Sequence, residues 1–169
     1  MSLNIESSIL NSKDCFNCKK CCRFEPDEFS DAPMLTEEQR LRAKAEFVIK
    51  NITFEQRGKL WQIVLDNIPG SNKKICPLFD EDTAHCLAHD YEIFDCITWP
   101  FYIMKVDERI VITISPDCPI VIGKLQIEDL KKYAKEKIGP EMLEKAKQYP
   151  DLITEYHGNA IQLCDIEEI

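Results

Sequence analysis

Phe101-Tyr102-Ile103-Met104-Lys105-Val106, then Asp107-Glu108-Arg109, then Ile110-Val111-Ile112-Thr113-Ile114-Ser115 is the stretch that decides the fold class. Two runs rich in β-branched and aromatic residues flank a polar triplet, which predicts a β-hairpin. Downstream of Pro119 the pattern turns helical. Ile127 to Ile138 reads as a helix stopped by Gly139, and Pro140 is placed to start another through Gln148. Upstream, Thr36 to Lys50 reads as a helix with Thr36 and Gln39 as a capping box and Leu41, Ala45, Val48 and Ile49 on one face. A second helix is expected over Phe54 to Asp66, with Thr53 as N-cap and Gln56 three residues on. Residues 11–34, broken by Pro26 and Pro33, and residues 67–100 read as irregular, and the last twenty are weakly patterned. The expected fold is α+β: one small domain over residues 1–169, helices plus a β-hairpin around a cysteine-rich metal centre.

Composition narrows the function. A chain of 169 residues builds one modest core. Its net charge of −9 argues against nucleic acid, whose binders need a basic face to displace phosphate counterions. Acidic excess concentrates in residues 61–120, where ten acids face four bases. The five glycines include no G-x-G, so a nucleotide cofactor bound on a glycine-rich loop is not expected. Residues 1–10 carry Glu6 and no apolar run, unlike a secretory signal. No segment approaches the roughly 20 apolar residues of a membrane helix. The expected compartment is the cytoplasm, where clustered thiols bind metal or do redox chemistry more often than they pair.

Nine cysteines dominate the chemistry. Cys15-Phe16-Asn17-Cys18-Lys19-Lys20-Cys21-Cys22 is a C-x2-C-x2-C-C run. The x2 spacing lets successive sulfurs converge on one ion, as in zinc hooks and in iron–sulfur cluster loops. Lys13, Lys19, Lys20 and Arg23 surround the run, where their charge favours thiolate and offsets an anionic metal–thiolate core. A dispersed second group follows: Cys76-Pro77, Cys86, Cys96 and Cys118-Pro119. The candidate ligands are Cys15, Cys18, Cys21, Cys22, Cys76, Cys86, Cys96 and Cys118, enough thiolates for two tetrahedral sites or one site with spare sulfurs. Cys164 reads as a core residue, and His85 and His89 as surface or supporting groups beside Cys86. The Asp80-Glu81-Asp82 triplet lacks the alternation of a calcium loop and reads as a solvated turn.

The order Cys15-x2-Cys18-x2-Cys21-Cys22, Cys76-Pro77-x-Phe79, Cys86-x9-Cys96-x2-Trp99-Pro100 resembles the CxxCxxCC family of zinc- or iron-chelating proteins. The resemblance runs from residue 15 to about 118. It implies a metal-chelating protein with no assigned reaction. His89 stands where that family has tyrosine, Asp90 where it has glutamate, Glu92-Ile93 in place of Arg-Pro, and Ile97 in place of arginine. The cysteine framework is kept and its basic neighbours are lost, which removes any anion-binding role those arginines served. The family also includes flagellin lysine N-methylases, so the resemblance also implies a protein-lysine N-methylase relative as an alternative. No glycine-rich loop for S-adenosylmethionine accompanies it.

Two further readings follow from the residues. Thiolate-only ligation suits an iron–sulfur cluster or zinc equally. The first gives a redox-linked protein with an unknown protein or redox partner, the second a zinc-stapled, non-catalytic interaction module. No nucleic acid and no membrane are expected in either.

Overall fold

Thr36 opens the first long element, as its capping box predicts. In the computed structural model, which describes residues 18, 20–124, 126–157 and 159–168, the Thr36 hydroxyl accepts from the Gln39 N–H at 3.3 Å. Gln39 Oε1 in turn accepts from the Thr36 N–H at 2.8 Å. The reciprocal bonds satisfy helix-start donors and begin α1, Glu37–Glu46. The helix ends short of Lys50, because Val48–Lys50 tightens into a 3-10 turn closed by Asn51 in a left-handed conformation. Its expected buried face is also reversed: Leu41, Val48 and Ile49 are exposed, and Ala43 is the buried side chain. Polar contacts from Gln39, Arg42 and Glu46, described below, hold the other side inward.

The described residues gather into two compact units, within Ser12–Ile97 and within Thr98–Ile169, where the sequence suggests one domain. The first is a set of small sheets around α1. Arg23–Phe24 (β1), Met34–Leu35 (β2), Phe54–Arg57 (β3), Leu60–Ile63 (β4), Asp66–Asn67 (β5) and Lys74–Ile75 (β6) form two antiparallel sheets, ordered β1-β6-β5 and β2-β4-β3. Residues 54–66, expected to be helical, are thus a hairpin followed by a third strand. Gly58 takes a left-handed φ of 56° at the turn between β3 and β4, a conformation that glycine adopts without a Cβ clash. Leu60 and Ile63 are buried, while Trp61 lies half-buried beneath the Arg40 guanidinium, 4.2 Å from its ring. Phe79–Asp80 (β7) and His85–Cys86 (β8) pair in a last hairpin. Asp80 organises its turn, accepting from Asp82 N–H at 3.2 Å and from the Thr83 hydroxyl at 2.8 Å. A short helix, Phe94–Thr98 (α2), leads out of this half of the chain. The core joins Leu35, Ala43, Ile63, Leu78, Phe79, Tyr91 and Ile93, with Cys76 among them.

The second unit contains the predicted hairpin. Phe101–Val106 (β9) and Arg109–Ile114 (β10) pair antiparallel across Asp107 and Glu108, with Asp107 at φ 54°. Pro119–Lys124 (α3) follows. Ile127–Tyr133 (α4) runs through a π turn, Ala134–Ile138, into Gly139–Gln148 (α5). Gly139 therefore does not stop the helix; its backbone is right-handed helical. Pro140 offers no N–H and its ring crowds the preceding turn, and the wider π turn accommodates it without a break. Leu130, Ala134, Ile138, Met142 and Ala146 are all buried. Their constant spacing of four outruns the 3.6-residue α period, and the π turn restores the phase. Thr154–Glu155 (β11) and Ile161–Asp165 (β12) then complete a sheet ordered β11-β9-β10-β12. The weakly patterned C-terminus thus contributes a strand beside β10, with Cys164 buried opposite Ile112. The protein is α+β. Among the described residues, no helix is long and apolar enough to cross a membrane.

Candidate metal centre

Backbone pairing ties Cys22 to Cys76 and sets Cys86 opposite Phe79 within the first unit. The 3-10 turn Lys20–Cys22 feeds directly into β1. Because β1 pairs with β6, with Arg23 opposite Ile75, the Cys22 carbonyl accepts from the Cys76 N–H at 2.9 Å. Cys76 then turns the chain, its carbonyl accepting from the Phe79 N–H at 2.9 Å. Phe79 pairs with Cys86 across β7 and β8. Cys96 sits in α2, its N–H donated to the Ile93 carbonyl at 3.0 Å.

These thiols feel one another. Cys21 and Cys76 interact electrostatically with each other and with Cys22, Cys86 and Cys96. The Cys22 thiol donates to the Cys21 sulfur, and that bond holds Cys21 below the ordinary thiol range while pushing Cys22 up. Burial pushes Cys76 up to about 12. Cys86 is also raised by burial first, then by Cys21 and Asp90. Cys96 keeps surface exposure as a residue, yet the protein mass around its thiol, followed by the charges of Cys76 and Cys86, raises it well above an ordinary thiol. An all-sulfur donor set suits a soft cation, whose charge favours the thiolate forms it binds. Among the described residues, no three His, Cys, Asp or Glu side chains are drawn tightly enough together to hold a metal ion as they stand.

The other candidates divide. Cys18 is half-buried at the start of the described run, and Cys15 lies outside the described residues, as do Lys13 and Lys19. Cys118 is buried in the second unit, ahead of α3, and Cys164 is buried in β12 of that same unit. His85 and His89 are exposed. The described basic residues of the run do not act as the sequence suggests. Lys20 pairs with Glu28 at 3.1 Å and Arg23 with Glu81 at 2.5 Å. Their charge is spent on carboxylates that staple the loops, and Cys21 is lowered by the Cys22 S–H instead.

No family model, curated protein or solved structure matches the chain.

The sequence gives no hint of what holds the loop between Cys86 and Cys96. α1 grips it. The Gln39 side-chain amide donates to the Tyr91 carbonyl at 2.7 Å and to the Glu92 carbonyl at 3.5 Å. Tyr91 O–H donates to Glu46 at 2.7 Å, and its ring stacks on Phe47 at 6.1 Å. Arg42 lies 4.1 Å over the Tyr91 ring while bonding Asp90 at 2.6 Å and Glu46 at 2.8 Å. At the far end of the loop, Asp95 accepts from the Met34 N–H at 2.7 Å. Burial raises the Asp95 carboxyl to about 6, against the lowering effect of that bond.

The clamp makes a pH prediction. Arg42 holds the Glu46 and Asp90 carboxyls below the ordinary carboxylate range, with Tyr91 O–H assisting at Glu46. A carboxylate with a depressed folded-state pKa stabilises the fold above its unfolded value, near 4. That contribution is lost as pH falls through the lower folded-state value. Acidification from about pH 5 to 3 is expected to lower the melting temperature, and Arg42→Met is expected to flatten that slope. Because the groups are solvent-exposed, the difference shrinks in high salt. Thermal unfolding of the two proteins across this range checks it. Parallel slopes would mean that Arg42 contributes nothing.

Proposed function

We propose that the chain is a cytoplasmic metal-binding protein that holds an iron–sulfur cluster or zinc through the thiols of its first compact unit. The observation that carries this reading is the pairing of β1 with β6, which bonds Cys22 to Cys76 from segments far apart in sequence, with Cys86 and Cys96 in the same compact unit. The all-sulfur donor set fits both zinc and iron, and the C-x2-C-x2-C-C spacing supports the resemblance to the CxxCxxCC chelators. The proposed ligands are Cys21, Cys76, Cys86 and Cys96, with Cys15, Cys18 and Cys22 available from the run. Cys118 belongs to the second unit.

The bound group would supply either reversible one-electron chemistry or a redox-inert tetrahedral staple. The protein's own part is to present the sulfurs, donate the Cys22 S–H to Cys21, and keep Cys76 out of solvent. The reading favoured here is the iron–sulfur form with a redox partner. Its test is the visible spectrum of anaerobically purified protein before and after dithionite. A brown chromophore that bleaches supports it. A colourless, redox-silent protein that unfolds with a chelator assigns the thiols to zinc and to an interaction module.

A further inference from the structure

Cys86 and Cys96 are separated by nine residues that contain neither a long helix nor a long strand. A loop of that length samples many end-to-end distances unless it is tied down, and metal affinity falls with every distance that misplaces a sulfur. We infer that Gln39 of α1 is a positioning residue for the metal centre, fixing the spacing of Cys86 and Cys96 through the Tyr91 and Glu92 carbonyls. This rests on the metal-binding reading above.

Three observations carry the assignment. Gln39 uses both halves of its amide: Oε1 accepts from the Thr36 N–H at 2.8 Å, and Nε2 donates to the Tyr91 carbonyl at 2.7 Å. The residue that completes the capping box of α1 is therefore also the one that holds the mid-loop backbone, and the helix start and the loop are tied through one side chain. Glu92, the second carbonyl it reaches, has a left-handed backbone at φ 51°. A non-glycine residue holds that conformation only when its surroundings impose it. Finally, the anchors are spread along the loop. Arg42 holds Asp90, Glu46 holds the Tyr91 hydroxyl and Met34 N–H holds Asp95, each within 2.7 Å, while Ala88, Tyr91 and Ile93 are buried in the core. The two sulfurs at the ends of the loop inherit their separation from this set of bonds. None of the anchoring side chains is itself a thiol.

Glutamate at residue 39 separates the two jobs of the amide. Gln39→Glu keeps an acceptor for Thr36 N–H, since glutamate is a standard partner in the capping box. It replaces the donor to Tyr91 and Glu92 with a carboxylate facing two carbonyl oxygens. Helicity should survive while the loop is released. Tyr91→Phe, which removes only the hydroxyl bond to Glu46, serves as the second variant. The experiment titrates wild type and both variants, anaerobically and reduced, with Co(II) as the probe. Affinity is read by competition with a chromophoric chelator, the thiolate-to-cobalt absorption by its intensity, and the metal-free fold by far-ultraviolet circular dichroism.

Gln39→Glu is expected to bind Co(II) about tenfold more weakly, as for other outer supports of metal ligands. Its charge-transfer band should change and its metal-free helical signal should not. Tyr91→Phe is expected to weaken binding in the same direction by a smaller factor. If Gln39→Glu loses helical signal, Tyr91→Phe decides. Both variants at wild-type affinity would overturn the positioning role and leave the metal reading intact. No Co(II) binding by wild type would overturn the metal reading and this inference with it.

Discussion

Cys21→Ser is expected to strip the protein of its metal, leaving well under a tenth of the wild-type content, while Cys164→Ser keeps it. Cys21 interacts electrostatically with Cys22, Cys76, Cys86 and Cys96, and the Cys22 S–H holds it below the ordinary thiol range. A serine hydroxyl is a poor ligand for a soft cation and does not ionise at neutral pH. The same change replaces the sulfur that accepts from the Cys22 thiol with a hydroxyl oxygen. Cys164, buried in β12 of the other unit, is chemically the same residue at a position the sequence reads as core. The comparison therefore separates loss of a ligand from loss of a cysteine. Metal analysis of the two variants, purified alike, decides it. Equal metal in both would remove Cys21 from the centre.

Leu35→Ala is the second large effect. Leu35 is fully buried, in β2 directly beside Trp61 of β4, and belongs to the same core as Cys76. Truncating a buried leucine costs about 2–5 kcal/mol through lost burial and the cavity left behind. A domain's whole stability is about 5–15 kcal/mol, so the loss is a large fraction of it. β2 also presents the Met34 N–H to Asp95, next to Cys96. A loosened β2 is therefore expected to expose the cysteines as well as to lower the unfolding midpoint. Urea unfolding measures the first effect, and the labelling rate of buried Cys76 by a thiol reagent measures the second. A shift below about 1 kcal/mol, with unchanged labelling, would show that the core is not organised around this strand.

The parts of the fold legible in the sequence are those where one local signal has no rival. Thr36 and Gln39 form the capping box that their spacing predicts, and Phe101 to Ile114 is the hairpin that its β-branched runs predict. Residues 54–66 carried two signals in conflict. Thr53 and Gln56 imitate a helix start, whereas Gly58-Lys59 and the residues Trp61, Ile63 and Val64 favour a turn between strands. Pairing of β4 with both β2 and β3 decides the matter, and that pairing is not local. Gly139 and Pro140 misled for a different reason: a glycine stop followed by a proline start reads as a boundary between helices, but the π turn Ala134–Ile138 carries the helix through both.

The candidate centre was legible as a set of cysteines and illegible as a geometry. Two-residue strands such as β1 and β6 have no period to read, yet their pairing is what ties Cys22 to Cys76. The grip of α1 on the Cys86–Cys96 loop left still less trace. Leu41, Val48 and Ile49 suggest an inward apolar face, but Gln39, Arg42 and Glu46 turn the helix the other way to reach Tyr91 and Asp90. Nothing in a single sequence ranks those polar contacts above an apolar stripe.

The most direct test of the account is metal and acid-labile sulfide content per chain in anaerobically purified protein. The account predicts a stoichiometric metal, with about four irons and four sulfides if the centre is a cubane cluster. Protein that is folded, fully reduced and free of both iron and zinc would contradict it.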